Sequence, residues 1–366
     1  MTSAWVGLAP AWRVCVVAVP DVLRDDVERT LNDPAIPWDR FRSATVLVTG
    51  ATGVIGNGIA RVLCAANVSK DLDLTVVAQG RDIVKGRRLE AELDVRFLAA
   101  GVRELSLATS GLDKADFVFH TAGVTSSACM VAQPQEVLET AVDGTRNVLD
   151  LAVALGASSV VYVSSMEVYG QGLAGLVAES DLGSLDPDGP RSSYPEGKRQ
   201  AEALSVAYAT KYGLRTTNAR LGLTFGAGVP NDPANTRVPL QFARSVLAGR
   251  DIELHTDGAG LTNVCYLADA VRALLLLATK GAAGEAYNVA NSQASMTIRQ
   301  MAEVVAREVA RGTINVVVKT PEDIESRGYA PQSSYRLATD KILALGWKPR
   351  YGMAEMYQRM IASWRS

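Results

Sequence analysis

The sequence predicts an α/β protein: a doubly wound parallel sheet with a smaller, interleaved C-terminal lobe. Three observations carry that prediction. From Thr45 onward, short runs rich in Val, Leu and Ile alternate with helical stretches, and strands of little apolar/polar alternation that each lead into a helix belong to a parallel sheet covered on both faces. The first run is closed by three glycines at a spacing of three, Gly50, Gly53 and Gly56 in TVLVTGATGVIG. After RTTNARLGLTFG the rhythm breaks, and Gly and Pro cluster over 226–234.

The elements follow in order. The opening AWVGLAPAWRVCVVAVP is apolar, but Arg13 interrupts it and no basic segment precedes it, so it reads as part of the folded protein rather than as a secretory signal. Residues 21–43 read as a short amphipathic helix ended by Pro34 and Pro37. Together, residues 1–43 form an N-terminal extension. TVLVTG then leads into VIGNGIARVLCAA, LTVVAQG into a basic segment, ADFVFHTAG into EVLETAVDGTRNVLDLAVAL, and SSVVYVSS, the fourth strand, into a loop and YPEGKRQAEALSVAYATKY. The lobe begins with a helix near VPLQFARSVLAG and a strand IELHTDG. YLADAVRALLLLAT and GEAYNVAN read as a helix and a strand that return to the sheet, TIRQMAEVVAREVA as a further helix, and LGWKPR as part of a small helical end. The expected division is 44–225 plus 263–292 for the sheet domain, with 226–262 and 293–366 as the lobe. The cleft lies at the carboxyl ends of the strands.

Composition narrows the partners. The 366 residues carry 37 Lys and Arg against 39 Asp and Glu, a net charge of −2, with no block of like charges. Nucleic acid and anionic membranes are therefore poor partners, and a small molecule is the better one. No apolar run is long enough to span a membrane. Cys15, Cys64, Cys129 and Cys265 have no paired spacing and there are two histidines, which fits reduced thiols in a cytoplasm and no metal site.

In a strand–turn–helix, the first glycine permits the tight turn, the second lets backbone approach a phosphate, and the third allows close helix–strand packing. The helix amino end then offers N–H groups and a positive dipole end to a pyrophosphate. Gly50, Gly53 and Gly56 thus point to a nicotinamide dinucleotide. An acid at the end of the second strand would select NAD through the ribose hydroxyls; here VVAQGRD places Gln79 there, with Arg81 just beyond. Arg81 reads equally as a partner for a 2′-phosphate or as an exposed loop residue, so NAD and NADP both stay open.

YPEGKR sets Tyr194 and Lys198 four residues apart, one above the other on a helix face. A phenol of ordinary pKa ~10 is a poor base at neutral pH, but an ammonium and a cationic nicotinamide beside it favour the phenolate. It then takes a hydroxyl proton while hydride leaves the same carbon. Upstream, YVSSMEVYG ends its strand with Ser164, Ser165, Met166 and Glu167 toward the cleft, and a serine there hydrogen-bonds the reacting oxygen.

These pieces resemble the extended short-chain dehydrogenase/reductase family, in particular its NAD-dependent epimerase/dehydratase branch acting on nucleotide-linked sugars. The carriers are TGATGVIG, HTAG, DGTRNVL, SSMEVYG, YPEGKRQAE, YNVAN and LGWKP, and RSSYPEGKRQAE is most similar to UDP-glucuronate decarboxylases and nucleotide-sugar epimerases. The resemblance implies a Rossmann sheet and a catalytic set of Ser165, Tyr194 and Lys198, with Glu167 beside it. It implies NAD contacts at Gly50, Thr52, Gly53, Val54, Ile55, Gly56, Gln79, Arg81, Ala122, Gly123, Tyr194 and Lys198, and substrate contacts at Ser126, Met166 and Thr262. It also implies a homodimer through a four-helix interface.

The pattern departs from that family at three points. Met166 stands where dehydratases carry an Asp, and a thioether cannot protonate a leaving hydroxyl. Thr262 replaces an arginine that meets the diphosphate or carboxylate, and Leu223 replaces a common asparagine. Arg237 and Arg327 are candidates to replace the lost polar contacts as diphosphate partners. Glu167 can still move a proton at the carbon next to a ketone. The leading expectation is therefore NAD-dependent epimerisation of a nucleotide-activated sugar. Decarboxylation of a nucleotide-linked uronic acid comes next, then dehydration, then NADPH-dependent ketoreduction.

Overall fold

The computed structural model describes residues 20–189, 191–320 and 333–365. Its centre is a sheet of seven parallel strands: β1 (Thr45–Thr49), β2 (Thr75–Gly80), β3 (Arg96–Ala99), β4 (Phe117–His120), β5 (Ser159–Ser165), β6 (Arg215–Leu221) and β7 (Glu285–Val289). They lie in the order 3-2-1-4-5-6-7. The order reverses at β1, between β2 and β4, and a ligand crevice opens at such a reversal. β3 has no counterpart in the sequence reading. It is four residues long, starts at Arg96 and is only partly buried, so it lacks the apolar run by which the other strands are recognised.

Helices cover both faces. α1 (Asp21–Leu31), α2 (Val54–Lys70), α3 (Ile83–Glu92), α4 (Pro134–Ala154), α5 (Ser193–Tyr212), α6 (Val238–Ala248), α7 (Leu267–Lys280) and α8 (Met353–Arg365) are the longest. α4 and α5 lie side by side. α5 tolerates Pro195 because it falls in the first turn, where no backbone donor is needed. α7 buries nearly every residue, the paired Asp269 and Arg272 among them, since it lies between the sheet, α2 and α1.

The segment from α1 to β1, read from sequence as an extension, is built into this body. Val27, Leu31, Trp38 and Phe41 join the main core. Asp26, 3% exposed, accepts hydrogen bonds from Tyr266 (2.5 Å), Tyr351 (2.9 Å) and Arg359 (2.7 Å). Asp33 binds Arg272 and Arg350. The first 19 residues, including Cys15 and the apolar opening stretch, lie outside the described residues.

Four two-stranded ladders among the described residues lie outside the main sheet. Residues 223–225 pair with 264–266, 252–254 with 316–318, 174–177 with 334–337, and 261–262 with 296–297. Among the described residues no helix is long and apolar enough to cross a membrane, and no group of three His, Cys, Asp or Glu could hold a metal ion. Cys64, Cys129 and Cys265 are not in disulfides.

Candidate active site

The glycine turn joins β1 to α2 under close steric constraint. Gly50 has φ +67°, and a Cβ there would lie 2.8 Å from the backbone of Ala122, in the loop after β4. A Cβ on Gly56 would lie 2.5 Å from the Gly50 carbonyl oxygen. Gly53 begins α2, and no side chain caps the helix there. The first-turn N–H groups, from Val54, Ile55 and Gly56, thus face the crevice ready for an anion. These residues fit a dinucleotide pyrophosphate. On the opposite wall, a Cβ on Gly123 would come within 3.6 Å of Lys198 Nζ, so Ala122 and Gly123 leave the approach to Lys198 open.

Gln79 is corrected by the structure. It is 1% exposed, its Oε1 accepts from Gly50 N at 3.2 Å, and its Nε2 donates to the Ala100 carbonyl. With both ends of the amide used it props the turn from beneath and does not reach a ribose. The next residue, Gly80, has no side chain and packs against Thr52. Arg81 is largely exposed and pairs with Glu136 at 3.1 Å.

The three residues expected to be catalytic converge at the carboxyl end of β5. Ser165 hydrogen-bonds Tyr194, and Lys198 Nζ donates to the Val163 carbonyl at 2.7 Å, 5.8 Å from the Tyr194 ring centre. Burial pushes the Tyr194 phenol up to about 12, and the nearby Glu167 carboxylate adds to the rise. Ser165, Arg237 and Arg191 oppose it. Two guanidinium groups, Arg237 and Arg191, thus join Ser165 in favouring the phenolate. Burial itself pushes Lys198 down to about 8, with Glu202 pulling back. His120, fully buried behind Lys198, is pushed down to about 3 and is neutral, bonded to Thr49 (2.7 Å) and Thr145 (3.0 Å).

Sequence reasoning assigned Arg191 no role. Its Nη2 forks onto both oxygens of Glu167 at 3.1 and 3.0 Å, and its Nη1 donates to Ser127 at 3.1 Å. The available signal was its place three residues before Tyr194 at the mouth of α5. The expected substrate contacts lie on several elements. Met166 opens the turn after β5, and its carbonyl accepts from Tyr335 at 3.0 Å. Ser126 caps the short helix 127–132. Arg237 caps the start of α6 and reaches the Thr125 carbonyl at 3.4 Å. Thr262 is 3% exposed, in a strand paired with Met296. Arg327 lies outside the described residues.

A glycine turn thus stands at the sheet's reversal point, with Ser165, Tyr194 and Lys198 gathered at the end of β5. The model of the NAD dependent epimerase/dehydratase family matches residues 46–290, more than half of the chain. The chain belongs to that family. It is 31% identical over 241 residues to UDP-glucuronic acid decarboxylase 6 of Arabidopsis thaliana, covering 66% of this chain and 67% of the relative. Among solved structures, dTDP-glucose 4,6-dehydratase DesIV of Streptomyces venezuelae, solved with NAD, superposes with a TM-score of 0.71 at 25% identity, covering 88% of this chain and 97% of that one. The UDP-glucose 4-epimerase of Thermotoga maritima shares the fold, with a TM-score of 0.73 at 21% identity over 88% and 98%. This member of the family is an NAD-dependent enzyme of the short-chain dehydrogenase/reductase type.

Proposed function

We propose that the enzyme acts on a nucleotide-activated sugar through a transient ketone, with no net redox change, and that its sugar is a uronic acid that loses carbon dioxide. The observation that carries this reading is the Arg191–Glu167 pair beside Tyr194. Bound NAD⁺ supplies the two-electron acceptor that takes a hydride from the sugar and later returns it. Ser165 and Tyr194 hold the reacting hydroxyl, and Tyr194 takes its proton and gives it back. A ketone at that carbon places a neighbouring carboxylate in the β position. The carbon–carbon bond to the carboxylate can then break, its electrons passing to an enolate that a proton quenches. Arg191 and Arg237 suit both the uronate and the enolate, and Glu167 is the proton-handling group within reach.

Two further features support parts of this reading. The sequence argument against decarboxylation rested on Thr262 in place of an arginine, yet two arginines bear on Tyr194 directly. Glu136, which holds Arg81, sets a carboxylate where a 2′-phosphate would need cations, which favours NAD over NADP. Epimerisation remains the second reading, favoured by Thr262 and Leu223, because the loss of those polar contacts suits a sugar that must turn within the site.

The test is to denature the purified protein, identify the released dinucleotide, and follow UDP-glucuronate and a panel of neutral nucleotide sugars by mass spectrometry. Loss of carbon dioxide from the uronate supports the reading. Unchanged mass with altered retention assigns epimerisation, and loss of water assigns dehydration.

A further inference from the structure

The catalytic scheme leaves one buried carboxylate unused. Tyr194, Lys198 and Glu202 recur every four residues along α5, so they form one stripe on one face, and they are only 9%, 5% and 8% exposed. Three consecutive residues at the end of β5 meet that stripe rung by rung. The Val163 carbonyl receives Lys198 (2.7 Å), Ser164 Oγ donates to Glu202 Oε1 (2.6 Å), and Ser165 bonds Tyr194. Ser164 therefore points at Glu202 rather than into the cleft. From β6, Arg220 forks onto Glu202 with contacts of 2.7, 3.1 and 3.2 Å, and continues to the Tyr169 hydroxyl and the Glu179 carbonyl.

We propose that Glu202 is a positioning residue for Lys198, holding it as an ammonium in register with Tyr194 and the end of β5. A buried ion pair is seldom the most stable filling for its space, so a role in the site accounts for the arrangement better than stability does. The groups around Lys198 narrow the source of its charge. From β4 comes His120, neutral; from β5 comes Tyr162, whose ring centre is 4.6 Å away and whose phenol burial pushes well up. On α5 itself stand Tyr194, also protonated, and Glu202, with Arg199 on the far side of Glu202. From β6 comes Arg220, whose charge Glu202 absorbs. Among the described residues, Glu202 is the carboxylate that opposes the burial of Lys198. Lys198 must be cationic to bind cofactor hydroxyls and to stabilise a phenolate, so Glu202 sets the upper pH at which the site works.

The experiment follows the Nζ chemical shift of Lys198 with pH in isotope-labelled protein loaded with NAD, the resonance being assigned by its loss in Lys198→Met. No sugar is needed, so failure of the uronate assignment leaves this result untouched. In the paired variant Glu202→Gln/Arg220→Gln, which removes both members of that ion pair together, Lys198 should deprotonate at lower pH, with the neutral fraction below the midpoint raised at least ~10-fold. Arg220→Gln by itself should move it the opposite way. Ser164→Ala, which keeps the charge, should leave the titration in place. Coincident titrations in wild type and the paired variant, or shifts of the same sign in the paired variant and Arg220→Gln, overturn the proposal. A purely structural Glu202 would lower thermal stability in each variant without that reversal of sign.

Discussion

Lys198→Met should destroy activity and yet stabilise the cofactor-free protein at neutral pH. Burial lowers Lys198 from 10.5 to about 8 in the fold. At about 1.36 kcal/mol for each pKa unit, keeping the ammonium in the folded state below that pH costs about 3 kcal/mol. Methionine fills the same space without charge but leaves the Val163 carbonyl without its 2.7 Å donor, a loss of about 1 kcal/mol. The net gain is about 2 kcal/mol. With an unfolding entropy of about 2.1 cal/mol/K per residue over 366 residues, the melting temperature should rise by about 3 °C. The pH dependence identifies the cause. Between the folded and unfolded pKa values of Lys198 the unfolded chain binds more protons, so wild-type stability rises with pH across that window. The advantage of the variant should be full below about 8 and absent above 10.5. Scanning calorimetry across that range is the assay. A variant that melts at or below wild type at neutral pH, or a difference that stays flat through the window, refutes the reasoning.

Tyr194→Phe should cut turnover by ~10²–10⁴ while the protein still co-purifies with dinucleotide; retained turnover would remove the phenol from the chemistry. In the cofactor-free enzyme the phenolate absorbance that Tyr194→Phe abolishes should appear only near pH 12, and adding NAD⁺ should bring it lower. Gly56→Ala drives a methyl to within 2.5 Å of the Gly50 carbonyl, so the turn must open, and titration calorimetry should read NAD binding weakened by ~5- to 150-fold for an overpacking cost of about 1–3 kcal/mol. Asp26→Ala takes the acceptor from the Tyr266 and Tyr351 hydroxyls and leaves Arg359 with Asp25 as its remaining close carboxylate. A loss of about 1–3 kcal/mol, seen as an earlier denaturant midpoint, is expected, and an unchanged midpoint would mean that the Asp26 carboxylate does not anchor α1.

Local pattern was enough for the sheet, for the turn at Gly50, Gly53 and Gly56, and to single out Ser165, Tyr194 and Lys198, which the fold brings together, because strand and helix periods and short spacings are written along the chain. The same information placed the fold within its family. It was enough for the helix α1 but not for its place in the body, where the anchoring carboxylate Asp26 meets partners more than two hundred residues away, nor for β3, where four residues, two of them exposed, carry no periodic signal.

The site divides in the same way. Spacing along the chain determined that Tyr194, Lys198 and Glu202 share a face. Only the packed structure decided that Gln79 is spent beneath the glycine turn, that Arg191 forks onto Glu167, and that Ser164 turns to Glu202 while Ser165 turns to the phenol. The reason is physical. A residue's type and its neighbours in sequence set its local conformation, whereas the charge it can keep depends on how much water the fold removes and which distant groups replace it.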